Sequence, residues 1–230
     1  MTTAEKALLL KQDFDDVHED GKKAEYDAFW DDCQNYGKRT DYTYGFSGKS
    51  WTNRSFKPKY NISPISAVGM FHTCACTDIV KALEEAGVTL DFSKATNVVN
   101  LLSRCESVSF PDIDLSNLSS IASFCSNCTA LKSLRIKLGE NLTNVSNAFQ
   151  NATGLEDFEI IGGTININGF DFHWSTKLSH DSLMSIINAL QDKTTDTSGT
   201  SWVVTLGTEN LAKLSDSQKA IATQKGWSLA

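Results

Sequence analysis

With 230 residues, 40% of them hydrophobic and 21% charged, the chain can bury a core as one large domain, or as one domain with a small appendage, without a covalent staple. A formal charge of -7 and the lack of any Lys/Arg cluster argue against a phosphate-backbone partner, so nucleic acid is not expected. No run approaches the ~20 apolar residues needed to cross a bilayer, so membrane insertion is not expected, and six cysteines are too few for a disulfide scaffold.

The N-terminus has an apolar run only from Ala7 to Leu10 before acidic residues begin, so it lacks the apolar stretch of a signal peptide and the protein is expected to start inside the cell that makes it. Residues 1–36 read as a charged helical segment with Ala7, Leu10, Phe14, Val17, Gly21, Ala24 and Ala28 at alternating three- and four-residue steps. This spacing suits a seam for a homo-oligomer such as a trimer, or a helix packed on its own domain. Residues 37–65 are dense in glycine and aromatic rings, among them Tyr42, Tyr44 and Trp51. They read as a cap over the end of a repeat array, with a ligand platform of Tyr42, Tyr44 and Trp51 as the alternative.

Residues 66–207 repeat themselves, and self-similarity at a fixed period sets the expected architecture. At an offset of 24, Ile121, Asn127, Cys128, Leu131, Leu134 and Ile136 match Val145, Asn151, Ala152, Leu155, Phe158 and Ile160. At an offset of 23, Val98, Leu101, Cys105, Val108 and Ile113 fall under Ile121, Phe124, Cys128, Leu131 and Ile136. A weaker copy runs from Met70-Phe71 and Cys74 to Val88, Leu90 and Phe92, and a last one from Leu183–Ile187 to Trp202–Leu206. Each unit reads as a short helical turn ending in a small residue, followed by a strand; one unit cannot cover its own apolar face, and stacking supplies the cover. The stretch from Gly162 to Trp174 breaks the period.

Residues 208–230 read as a second cap. Ser215-Asp-Ser-Gln218 has the spacing of a capping box, Gly226 stops the helix it opens, and Trp227 and Leu229 supply a final strand. The expected fold is therefore α/β: a leucine-rich-repeat-like solenoid of short parallel strands and short helices, with a helical N-terminal segment and capped ends.

The phrases Glu25-Tyr-Asp-Ala-Phe-Trp-Asp31, Gly45-Phe-Ser-Gly-Lys-Ser-Trp51, Phe56-Lys-Pro-Lys-Tyr60, Gly87-Val-Thr-Leu-Asp-Phe92 and Lys219-Ala-Ile-Ala-Thr-Gln-Lys-Gly-Trp227, together with the repeats, resemble proteins carrying BspA-like leucine-rich repeats encoded by phages and prophages of gut Firmicutes. The resemblance runs from about residue 22 to the end of the chain. It implies a virion protein of the tail, baseplate or a surface fibre whose repeats contact a bacterial surface component or another virion protein. It brings no catalytic residues with it.

Chemistry-bearing residues point the same way. Cys125-x-x-Cys128 with Cys74, Cys76 and His72 would suit zinc by ligand type, but Cys74, Cys105 and Cys128 sit at the repeat's small buried slot, where a free thiol packs well. Cys33 and Cys125 are off that slot. His18, His72, His173 and His180 are not placed beside a thiol that one of them could activate, and neither a metal nor a cofactor is expected. Asp157 and Glu159 are the residue types of a glycosidase pair, yet the repeat puts them on the outward strand face, where the matched residues are Ser133 and Arg135. The candidate binding residues are therefore Lys132, Arg135, Lys137, Glu156, Asp157 and Glu159 on the strand face, with Tyr42, Tyr44 and Trp51 as the alternative platform. The favoured function is non-enzymatic recognition within a phage particle. The alternatives are a bacterial interaction scaffold and, third, an enzyme acting on glycans.

Overall fold

The computed structural model describes residues 40–47 and 58–230. Residues 1–36, expected from the sequence to be helical and to offer an oligomer seam, lie outside the described residues, Cys33 among them, as does Trp51.

Alternation fixes the central strands. In β1 (Ile113–Leu115), β2 (Ser133–Leu138) and β3 (Asp157–Gly162), the residues Ile113, Leu115, Leu134, Ile136, Leu138 and Phe158 turn inward, while Arg135, Lys137, Asp157 and Glu159 turn to solvent. Burying each large apolar side chain contributes roughly 1.5–3 kcal/mol. The three strands form one parallel sheet in sequential order, with Ile113 opposite Ile136, Leu134 opposite Phe158 and Ile136 opposite Ile160. These are the pairs that the offsets of 23 and 24 match in the sequence. The register slips between Ile136 and Lys137, which faces Gly162, so Ile161 is the extra residue of a bulge and is left exposed.

The turn halves of the units also pair layer to layer. Alternate N–H groups bond to the next layer: Tyr42 to the Ser66 carbonyl, Ala67 to Asn97, Leu102 to Phe124 and Cys125 to Ala148. Intervening N–H groups close local turns, such as Phe124 onto Ile121 and Ala148 onto Val145. The expected helical turns at 98–105, 121–128 and 145–152 are thus stacked turns, because their donors are shared with the neighbouring layer. Each requires two residues at positive φ, four positions apart: Asn100 and Arg104, Ser123 and Asn127, Asn147 and Asn151. Asparagine tolerates that conformation, and Asn151 Nδ2 donates to Asn127 Oδ1 at 3.0 Å, joining two layers.

Helices occur where the period lengthens or the repeat ends. Among the described residues they are α1 (Ile79–Ala86), α2 (His180–Ala189), α3 (Thr208–Leu211) and α4 (Asp216–Gln224). Insertion of α1 stretches the spacing from Gly69 to Asn100, the equivalent positive-φ positions. The capping box at α4 is formed: the Ser215 hydroxyl accepts from the Gln218 N–H, and the Gln218 side chain accepts from the Ser215 N–H. Beyond α4, Gly226 adopts φ +80° and the chain enters β5 (Trp227–Leu229), which pairs in parallel with β4 (Trp202–Val204).

A continuous apolar core follows the layers. Cys74, Cys105 and Cys128 are buried in it, and Cys128 Sγ donates to the Leu102 carbonyl at 2.7 Å. The irregular stretch after β3 contributes Phe170 and Phe172; the Phe172 ring lies 4.8 Å from Phe149 and 5.1 Å from Phe158. Val108 departs from its expected slot. It is half-exposed, and Ser107 is buried instead, its hydroxyl accepting the Ile79 N–H at 3.0 Å where α1 begins. Among the described residues, the architecture is mixed α/β with short parallel strands and short helices, and it contains no closed barrel.

Candidate functional site

Two elements frame a concave surface beside the predicted residues. One is the outward face of β2 and β3; the other is α2, which follows β3 and lies against its free edge. The Ser179 hydroxyl caps α2 by accepting the Ser182 N–H. Ser182 and Ser185, three residues apart on one face of the helix, then accept the Phe158 and Ile160 N–H groups at 2.7 and 2.9 Å. The Ser179 N–H donates to the Glu156 carbonyl at 2.8 Å. A strand edge that would otherwise present unpaired donors and acceptors is closed by these contacts.

Between the sheet face and the helix runs a groove of about 640 Å³. Arg135, Asp157 and Glu159 line it from the strands, and Asp181, Met184, Ser185 and Asn188 from the helix. Arg135 is held on both sides: its Nε donates to Glu159 Oε2 at 2.8 Å and its Nη1 to Asp112 Oδ2 at 2.9 Å. Hydrogen bonding to Glu159, followed by the charge of Asp112, raises the guanidinium pKa further. One layer position along, Lys137 Nζ donates to Asp114 Oδ2 at 2.9 Å. Partial burial pulls the Asp114 carboxyl up, but the Ser116 hydroxyl and N–H and the Lys137 ammonium outweigh it, so the pKa falls below the usual range. The three strands therefore carry cross-strand ion pairs on one face. Being exposed, these pairs contribute little to stability.

Of the strand-face residues expected to bind, Arg135, Asp157 and Glu159 come together at the groove, and Lys137 stands beside it in its pair with Asp114. Lys132 is exposed, but it does not line the groove. Glu156 is half-buried and contributes its carbonyl to holding α2. Of the alternative platform, Tyr42 and Tyr44 are buried, and Trp51 lies outside the described residues. Tyr42 and Tyr44 are only 2% and 7% exposed: Tyr42 packs 5.9 Å from Phe46, and Tyr44 lies over Gly69, so their rings belong to the core. Glycine at 69 leaves the room that the Tyr44 ring occupies, which a Cβ would take.

Sequence reasoning missed Asp112 and Asp114, although the offset of 23 sets them under Arg135 and Lys137. It also missed Asp181, Met184, Ser185 and Asn188, whose role depends on where α2 docks. Cys74, Cys105, Cys125 and Cys128 are buried free thiols. Hydrogen bonding with Cys105, then burial, raises Cys74, while burial and then Cys125 raise Cys128, so both stay protonated and unreactive.

Among the described residues no helix is long and apolar enough to cross a membrane. No family model matches the chain, and neither a curated protein nor a solved structure matches it.

Proposed function

We propose that this protein is a non-enzymatic recognition module: a leucine-rich-repeat-like solenoid whose charged strand face and adjoining groove bind a protein or surface partner. The observation that carries the reading is the groove itself, where Arg135, Asp157 and Glu159 project from parallel strands beside α2. The backbone beneath is committed to layer-to-layer bonds and to the serines of α2, which leaves outward side chains as the variable chemistry. Glu159 is engaged by Arg135 and Asp112 holds the other side of the same guanidinium, an arrangement suited to presenting a fixed charge pattern.

The resemblance to phage proteins with BspA-like repeats supports placing the module in a virion, at the tail, the baseplate or a surface fibre, with a bacterial surface component or another virion protein as its partner. Mass spectrometry and immunogold labelling of purified particles test the placement. Specific labelling of particles is expected; finding the protein only in the unassembled fraction would refute it.

A further inference from the structure

We infer that the groove between β2, β3 and α2 accepts an extended, cationic segment of a partner protein, an inference that rests on reading the strand face as a recognition surface. Three carboxylates, Asp157, Glu159 and Asp181, line the groove against one guanidinium, that of Arg135. The charge of Arg135 is already met by Glu159 at 2.8 Å and by Asp112 at 2.9 Å. Asp157 has no cationic partner among the described residues, and Asp181 meets only the ring of His180, at 3.5 Å. The groove therefore presents net negative charge, within a chain whose formal charge is -7. Lys or Arg side chains complement it, and an anionic polymer is repelled.

The walls favour a peptide read through its side chains. Addition of a strand at β3 is blocked, because the Phe158 and Ile160 N–H groups are bonded to Ser182 and Ser185 and the Glu156 carbonyl to the Ser179 N–H. Met184 and Ile160 offer apolar surface along which the methylene stems of Lys or Arg can lie, with the charged heads reaching Asp157 and Asp181. The Asn188 amide, at the far end of α2, can pair with peptide backbone groups. A volume of about 640 Å³ lies within the range of sites that enclose a ligand of several linked groups.

The test is fluorescence anisotropy of the full chain with a fluorescein-labelled octapeptide of alternating Lys and Ser, against the same peptide with Glu for Lys, and with unlabelled spermidine as competitor. The Lys peptide should bind and the Glu peptide should not. Asp157→Asn with Asp181→Asn should weaken binding by about tenfold. Glu84→Gln with Glu85→Gln, which removes the same charge from α1 outside the groove, should leave it unchanged. Equal weakening by both pairs, or spermidine binding as tightly as the Lys peptide with the same dependence on Asp157 and Asp181, overturns the inference. Hydrogen exchange separates this failure from that of the recognition reading. If intact particles or host cells protect residues 157–160 and 181–188 while the Lys peptide does not, the cationic partner is wrong and recognition stands; if neither protects them, both fall.

Discussion

Replacing Ser182 by alanine isolates the contact that seats α2 on the sheet. The Ser182 side chain is almost fully buried, its hydroxyl accepts the Phe158 N–H at 2.7 Å, and it also reaches the Glu156 carbonyl at 3.3 Å. Alanine removes the acceptor and leaves the amide of a buried strand residue without its protein partner, at a cost of about 1–3 kcal/mol. For a chain of this size the urea dependence of unfolding is about 3 kcal/mol per M, so the midpoint should fall by about 0.3–1 M. The matched change Ser185→Ala removes a half-buried acceptor that water can replace, and its cost should be below about 1 kcal/mol. Urea unfolding followed by far-UV circular dichroism measures both. Equal midpoints for the two variants, or no loss in Ser182→Ala, would refute the view that this helix closes the strand edge.

Gly139→Ala would drive a Cβ into the Ser116 carbonyl of the adjacent layer, and thermal unfolding should show a loss of about 1–3 kcal/mol. Because the folded Asp114 carboxyl titrates below its unfolded value, its contribution is complete above about pH 4 and is lost as pH falls through the folded value. Urea midpoints should therefore drop below about pH 4, and Lys137→Met should make that drop shallower. A thiol-directed maleimide should leave Cys74, Cys105, Cys125 and Cys128 unlabelled in the native protein, as peptide mapping reads, and modify all four in urea. Rapid native labelling of Cys105 would show that this part of the core opens.

Strand register was legible because the same inward slots recur at a fixed distance: Ile113, Ile136 and Ile160 are apolar at offsets of 23 and 24, and they are neighbours across the sheet. The capping box was legible because both of its bonds are local to four residues. The turn halves were not. Apolar spacing in Val98–Leu101 and Ile121–Phe124 fits a helical turn as well as a stacked one, and only the bonds to the next layer decide between them. That difference also accounts for Cys125, which a helical turn would set off the buried slot and a stacked turn brings into the core beside Cys128. Tyr42 and Tyr44 carry a composition that suits a surface platform equally well; they are buried because their rings pack beside Phe46 and over Gly69. The groove was half legible, since its strand wall is set by alternation, whereas its helical wall depends on how the Ser182 and Ser185 hydroxyls meet β3.

On the proposed function the outward strand face, and not the turn side, makes the contacts. A photoreactive amino acid placed at position 157 on the strand face, and separately at exposed position 150 on the turn side, tests it in purified particles incubated with host cells. Position 157 should give a discrete cross-linked adduct and position 150 none. Adducts from position 150 alone would contradict it.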